Sequence, residues 1–222
     1  MKKKIVIFGS GGHSKVVFSE IIKLKKYIIL GFIDDLQHKR KKIITFRNKT
    51  YYNLGKIEDL IKSNKDKKKS KNNFYGIIGI GSNNIRNKIV NKVSKIDKLF
   101  KWESIISKDC ILNGDVKIDE GSLVLSGVII NTQSKIGKHC IINTSSSIDH
   151  DNHFKNFSSC GPGVITGGNI SIGEKSHLGI GSVVKNGIKI GKNTIIGGNS
   201  FVNKGCADNS LYYGVPIKKI KR

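Results

Sequence analysis

The chain has 222 residues, with 40 Lys and Arg against 16 Asp and Glu, a formal charge of +24. At 37% hydrophobic and 25% charged it can bury a core as one large domain or two small ones, which excludes a disordered polar chain. No apolar run approaches the roughly 18 residues of a membrane helix. The stretch Ile5 to Phe8 falls short of the roughly 7 to 15 residues of a secretory h-region. A soluble, cytoplasmic protein with no membrane span is expected. The cysteines (Cys110, Cys140, Cys160, Cys206) form neither a CxxC pair nor a zinc spacing, which reads as reduced thiols and no metal site. The positive charge raises nucleic acid as a partner. The lysines, however, are spread along the chain and barely interleave with aromatics, and six of them crowd Lys62 to Lys71. That pattern reads as a solvated basic surface without nucleic-acid binding.

The first hundred residues alternate between strand and helix signals. Lys4 to Phe8 is an apolar run ending at Gly9, as in a buried parallel strand. From His13 to Lys26, Val17, Ile21 and Leu24 recur at helical spacing. Tyr27 to Ile33 is a second apolar run, closed by Asp34 and Asp35. Phe74 to Ile80 is a third, ending at Gly81, and Ile85, Ile89, Val93 and Ile96 then share a helical face. This order predicts half of a doubly wound α/β sheet, Rossmann-like, over residues 1–105.

From Cys110 the period becomes six. Sixteen hexads follow without insertion, from CILNGD to SFVNKG. Their third place holds Leu112, Ile118, Val124, Ile130, Ile136, Ile142, Ile148, Phe154, Cys160, Thr166, Ile172, Leu178, Val184, Ile190, Ile196 and Val202. Only Cys160 and Thr166 are not large apolar residues. The first place favours Ser, Val or Cys, and the fourth Gly, Asn or Asp. A period of six fits a triangular coil whose aliphatic residue points inward, with a small residue at the corner and Gly, Asn or Asp accepting left-handed backbone at the bend. Three hexads close one coil, so about five coils of parallel β-helix are expected within residues 106–222.

The hexads, together with IVIFGSGGHSKVV, GFIDD, GIGSNNIR and the closing YYGVPIKKI, resemble the hexapeptide-repeat acyltransferases, whose domain is a left-handed β-helix. The branch most resembled acts on nucleotide-linked amino sugars, as do the UDP-4-amino-sugar N-acetyltransferases of bacillosamine synthesis. The sialic acid O-acetyltransferases are near relatives. The resemblance implies acetyl-CoA as co-substrate, a nucleotide-linked amino sugar as acceptor, a role in glycan biosynthesis and a homotrimer with the cofactor at its seams.

Gly9-Ser10-Gly11-Gly12-His13 is near a dinucleotide fingerprint, but the third glycine position holds Ser14, which argues against an NAD site. Glycines before a helix N-terminus still suit a phosphate. The resemblance assigns Gly11, Gly12 and His13 to the sugar-nucleotide, Asp34 and Asp35 to its base, and Gly81 beneath it. It makes His150 the general base and Asp151 its partner, with Asn143 nearby. A near-neutral imidazole suits removal of an amine proton, and a neighbouring carboxylate fixes its tautomer. Asp151 is a methylene shorter than the family's Glu. The family's second histidine, nine residues on, is here Ser159, whose hydroxyl can still donate to a thioester carbonyl. Acetyl-CoA contacts fall on Ser159, Gly168, Ile180 and Gly198, with the Gly168 N–H as oxyanion donor. His153 reads as a coil-edge residue, and Lys185, Lys192 and Lys204 as surface lysines available to the phosphates of CoA. The motif serves a hydroxyl acceptor equally well, so sugar O-acetylation is the alternative. A non-enzymatic basic β-helix is a second alternative, against which His150-Asp151 within the repeats stands.

Overall fold

The computed structural model describes residues 2–66 and 74–220. Much of the Lys62 to Lys71 run lies outside them. The chain divides into two compact units, Met1–Glu103 and Ser104–Arg222.

The first unit runs β1 (Lys3–Phe8), α1 (Gly12–Leu24), β2 (Tyr27–Ile33), β3 (Lys42–Phe46), β4 (Lys49–Tyr52), α2 (Ile57–Asp66), β5 (Tyr75–Ile78) and α3 (Asn83–Ile96). Its parallel sheet has the order β2-β1-β5. Ile5, Val6, Ile7 and Phe8 are wholly buried, as a strand covered on both faces requires. The chain turns one way from β1 to β2 and the other way to reach β5, so a switch point lies at the carboxyl ends of β1 and β5, where open α/β sheets bind ligands. The hairpin of β3 and β4 and the helix α2 carry no clear signal in the sequence. The hairpin turns on Arg47 and Asn48, both with positive φ, a backbone more often marked by Asn-Gly. On α3, Val93 is buried while Ile85 is exposed. The buried polar surprise is Arg86, which donates to the Gly81 carbonyl at 2.7 Å.

The second unit is a left-handed β-helix with three sheets, parallel throughout except that the last strand, Lys218–Ile220, runs antiparallel to Leu211–Tyr213. Face one stacks Ile111–Leu112, Ile129–Ile130, Ser147–Ile148, Ile165–Thr166, Val183–Val184 and Phe201–Val202. Face two runs from Lys117–Ile118 to Lys189–Ile190. Face three begins at Ile105–Ile106, passes Ser159–Cys160 and His177–Leu178, and ends with the C-terminal strands Leu211–Tyr213 and Lys218–Ile220. Residues pair with those eighteen places on, as Ile130 does with Ile148, until the last turn, where Ile196 pairs with Tyr212, sixteen on. There are about six turns rather than five. Ile105–Ile106 already pairs with Leu123–Val124, and Leu211–Tyr213 continues the stack after the last hexad.

The third-place side chains form the inner column: Ile136, Ile142, Ile172, Ile190 and Ile196 are at most 1% exposed. Leu112 and Ile118 depart from it. Leu112 is 39% exposed and Ile118 half-buried, because no strand precedes theirs on faces one and two. The turn chemistry also differs from expectation. Left-handed backbone falls on the sixth place of the hexad, as at Gln133, Asp151 and Asn169, and not on the fourth. Fourth-place glycines instead admit the next coil: a Cβ on Gly161 would lie 2.7 Å from the Ile180 nitrogen. First-place serines do more than fit. Ser122 Oγ donates to the Gly137 carbonyl at 2.7 Å and accepts from the Cys140 N–H at 2.9 Å, and Ser176 does the same with Gly191 and Thr194. The hydroxyl thus pairs corner groups that burial would otherwise leave unsatisfied.

Truncating Ile142 to Ala should cost about 2–5 kcal/mol through the cavity it leaves. Leu112→Ala should cost far less, since that side chain is part-solvated. Denaturant unfolding of the two variants checks the gradient, and equal losses would contradict it.

Candidate active site

At the switch point of the first unit, Gly9 takes φ of 101° and turns the chain from β1 into α1. Gly11, Gly12 and Gly81 all face open space, with nothing within 4 Å of the point a Cβ would occupy. The α1 N-terminus has no side-chain cap and no acid in its first turn, so its first N–H groups favour an anion. The close helix-to-strand approach comes from Gly79, where a Cβ would stand 2.7 Å from Ser14 Cα. His13 opens the helix half-buried. Burial, reinforced by the Arg86 charge, holds its imidazole below the ordinary value and therefore neutral.

The two aspartates are already engaged. Asp34 accepts from the Ser10 N–H at 3.1 Å and hydroxyl at 2.5 Å through Oδ2, and from the Leu36 N–H through Oδ1. Asp35 Oδ1 accepts from the Ile57 N–H at 2.7 Å, at the start of α2, while Oδ2 meets Lys92. Burial works to raise the Asp35 pKa, yet the Lys92 contact and the Ile57 N–H outweigh it and hold it low. Both carboxylates shape the loop and still keep acceptor capacity.

In the solenoid, His150 lies at the corner that follows face one. Its side chain is 54% exposed, and Nδ1 is 2.7 Å from Asp151 Oδ2. The left-handed φ of 58° at Asp151 turns that carboxylate back to the ring, so the shorter side chain does reach. The hydrogen bond with Asp151 chiefly raises the His150 pKa; desolvation opposes it, and the charges of Asp149 and Asp151 add to the rise. One coil on, Gly168 lies under the ring, since a Cβ there would collide with Cε1 and Nε2. Any other residue at 168 would displace the imidazole. His153 is on face two, lowered by burial and by Lys155 and Lys135.

Asn143, Ile180 and Gly198 occupy a different corner, the one after face three. Asn143 Oδ1 accepts from the Thr144 N–H at 2.9 Å. Ile180 is 61% exposed, with Gly198 against its Cγ2. An exposed apolar side chain beside bare backbone suits the pantetheine arm of CoA. Ser159 is buried on face three, its Oγ 2.8 Å from Nδ1 of His177 one coil on. One chain therefore joins His150, Asp151 and Gly168 at one corner, and puts Asn143, Ile180 and Gly198 at another. Lys185, Lys192 and Lys204 are exposed. Among the described residues no His, Cys, Asp and Glu side chains group to hold a metal, and no helix is long and apolar enough to cross a membrane.

Sequence reasoning passed over the supports of this corner. Asn113 donates to Asn131 at 2.9 Å and Asn131 to Asp149 at 3.1 Å, a ladder ending on the carboxylate that also accepts the His150 N–H at 2.8 Å. Asn152, 1% exposed, sits in the first place where other hexads carry Ser, Val, Ile, Thr or Cys. Its Nδ2 donates to the Asp149 carbonyl at 2.6 Å and the Gly167 carbonyl at 2.9 Å. Thr166, one of two departures from the apolar column, accepts the Asp149 N–H at 3.2 Å. Asn152 Oδ1 is buried with no partner, a burden of about 1–3 kcal/mol. The other departure, Cys160, acts as a small apolar group whose thiol burial pushes up to about 11.

Residues 4–93 match the PglD N-terminal domain, and residues 169–204 match the bacterial transferase hexapeptide family of six repeats. Among solved structures the chain is similar to PerB from Caulobacter crescentus in complex with CoA and GDP-perosamine (28% identity, 98% of this chain and 97% of that one, TM-score 0.86). A histidine-to-asparagine mutant of perosamine N-acetyltransferase from the same organism, with the same two ligands, matches at 27% identity over 99% and 97%, TM-score 0.86. The acetyltransferase domain of PglB from Neisseria gonorrhoeae, in complex with acetyl coenzyme A, matches at 25% over 99% and 100%, TM-score 0.85. The resemblance to hexapeptide-repeat sugar N-acetyltransferases is borne out along nearly the whole chain.

The two histidines near the corner should titrate on opposite sides of the ordinary value of about 6.5. NMR of the imidazole protons is expected to place His150 above it and His153 below. Asp151→Asn should bring His150 back down. Because the raised His150 value favours the folded cation, its contribution to stability is present below about pH 6.5 and fades as pH rises through the raised value. A His150 midpoint unmoved by Asp151→Asn would contradict the pairing.

Proposed function

We propose that this protein is an acetyl-CoA-dependent N-acetyltransferase acting on the amine of a nucleotide-activated amino sugar, of the 4-amino-4,6-dideoxy kind, for glycan biosynthesis. The observation that carries the reading is the corner where His150, oriented by Asp151, lies over Gly168. The likeness to PerB, a protein seen with CoA and GDP-perosamine, supports the substrate class.

Acetyl-CoA supplies the acetyl group as a thioester. With Nδ1 donating to Asp151, His150 keeps Nε2 as the acceptor that takes the amine proton, and the raised pKa makes that nitrogen a stronger base. The Gly168 N–H is the donor proposed for charge developing on the acyl oxygen. Its carbonyl is tied down by the Gly187 N–H at 2.9 Å, whereas its own N–H meets no protein acceptor among the described residues. Gly11, Gly12 and His13 are proposed to hold the diphosphate, Gly81 to floor the crevice, and the remaining acceptor sites of Asp34 and Asp35 to read the base. Ser159, Ile180 and Gly198 are proposed to line the thioester and pantetheine, with Asn143 beside the base.

Because those contacts lie at a different corner from His150, the complete site is proposed to form between copies in a homotrimer. Face one carries a suitable surface. Ile165, Val183 and Phe201 stack outward and are 50%, 38% and 36% exposed, an apolar stripe that water disfavours.

Thiol release with a panel of nucleotide 4-amino sugars tests the reading, each paired with its 4-hydroxy counterpart. Amines should turn over and hydroxyls should not; the reverse would make the protein an O-acetyltransferase. His150→Ala should lower turnover by roughly 10²- to 10⁴-fold with acetyl-CoA binding nearly unchanged. A variant with normal turnover would sink the base assignment.

A further inference from the structure

We infer that Asn152, assisted by Thr166, is a positioning residue that aims both working groups of the corner at once. The inference rests on the acetyltransferase reading above.

A peptide unit is planar and trans, so its C=O and N–H point in opposite directions. The Gly167 carbonyl and the Gly168 N–H belong to one such unit. Asn152 Nδ2 draws that carbonyl inward at 2.9 Å, which turns the Gly168 N–H outward, and a hydrogen bond on the carbonyl polarises the N–H as a donor. The same Nδ2 holds the Asp149 carbonyl at 2.6 Å, in the peptide unit whose N–H belongs to His150. Thr166 Oγ1 accepts the Asp149 N–H at 3.2 Å and lies 3.3 Å from Asn152 Nδ2. One buried carboxamide therefore bridges the coil of the base to the coil of the oxyanion donor.

The repeat separates scaffold from addition: a first-place serine donates to the carbonyl fifteen places on, as Ser146 does to Gly161, or three places back, as Ser158 does to Lys155, whereas the Asn152 amide makes both bonds at once. At the same place Ser122, Ser134, Ser146, Ser158, Ser176, Ser182 and Ser200 serve the fold, and Ser134 already donates to the Asp149 carbonyl at 2.9 Å. Asn152 keeps its Oδ1 buried and unpartnered, and Thr166 replaces an aliphatic side chain in the inner column. Two adjacent breaks in the pattern, both unfavourable to packing, fall beneath His150. A role in holding the corner accounts for both.

The test returns these positions to the pattern of the repeat, as Asn152→Ser and as Asn152→Ser/Thr166→Val. Both variants should fold with a thermal midpoint equal to or above the parent. Their kcat should fall at least tenfold while KM for acetyl-CoA stays within about twofold, since a misdirected oxyanion donor costs up to roughly 10²- to 10³-fold in kcat. Their pH–rate profile should shift as the His150 turn relaxes. Crystal structures of the variants should show the 167–168 peptide or the 149–151 turn displaced. Parent kcat with an unmoved peptide overturns the inference, as does a loss of kcat that merely follows a loss of folding. Should the parent protein acetylate no nucleotide amino sugar, the functional reading fails, and the crystallographic comparison decides the positioning claim by itself.

Discussion

Along all but the last turn of the solenoid a residue lies directly beside the one eighteen places on, and the geometry of the His150 corner is a consequence of that registry. It brings Gly168 against the ring of His150, since 168 is 150 plus one coil. It brings His177 to Ser159 in the same way. The registry is held by the inner aliphatic column and by serines such as Ser122, Ser134 and Ser176, each of which satisfies two backbone groups. Burial supplies the driving force, while the serines remove the polar penalty that burying a corner would impose. A rigid stack of this kind can hold a base and a donor without a mobile loop.

The same rigidity explains where the fold departs from its own rule. A column of aliphatic side chains packs well but cannot aim a peptide. At the level of His150 the column gives way to Thr166, and the serine of the corner gives way to Asn152, whose second polar atom remains buried and unpaired. Sites that hold reacting groups often carry strain that the surrounding structure absorbs. Here the surrounding coils are regular enough to absorb it.

The periodic half of the chain was legible because its period matches neither helix nor strand, so Ile136, Ile142 and Ile172 could be placed inside from spacing alone. Conformation within the hexad was less legible. Fourth-place glycines looked like left-handed turns, yet they serve close approach between coils, and the positive φ falls at the sixth place on residues as unlike as Gln133, Asp151 and Phe157. Composition did not mark those positions because the corner geometry imposes them. In the first unit the apolar strands were plain, whereas the Arg47-Asn48 hairpin lacked the usual glycine. That Asp34 and Asp35 are held by Ser10, Ile57 and Lys92 depends on residues up to 57 positions away, which no local pattern reveals. Thr166 was visible as a break in the column, but its partner Asn152 lay in another place of the hexad, and only the fold brings them together.

A single chain leaves the proposed base and the proposed cofactor contacts at separate corners, so the account stands on how copies and ligands meet around His150. His150 and Gly168 are proposed to flank the reacting atoms. The most direct measurement is a crystal structure of the protein with a stable acetyl-CoA analogue and a nucleotide amino sugar. The account predicts the acyl oxygen about 2.7–3.1 Å from the Gly168 nitrogen and the sugar amine within hydrogen-bond reach of His150 Nε2, with Ile180 of a neighbouring copy against the pantetheine. A complex in which the acyl group lies elsewhere, or in which the amine faces His177 or His153 instead, would contradict it.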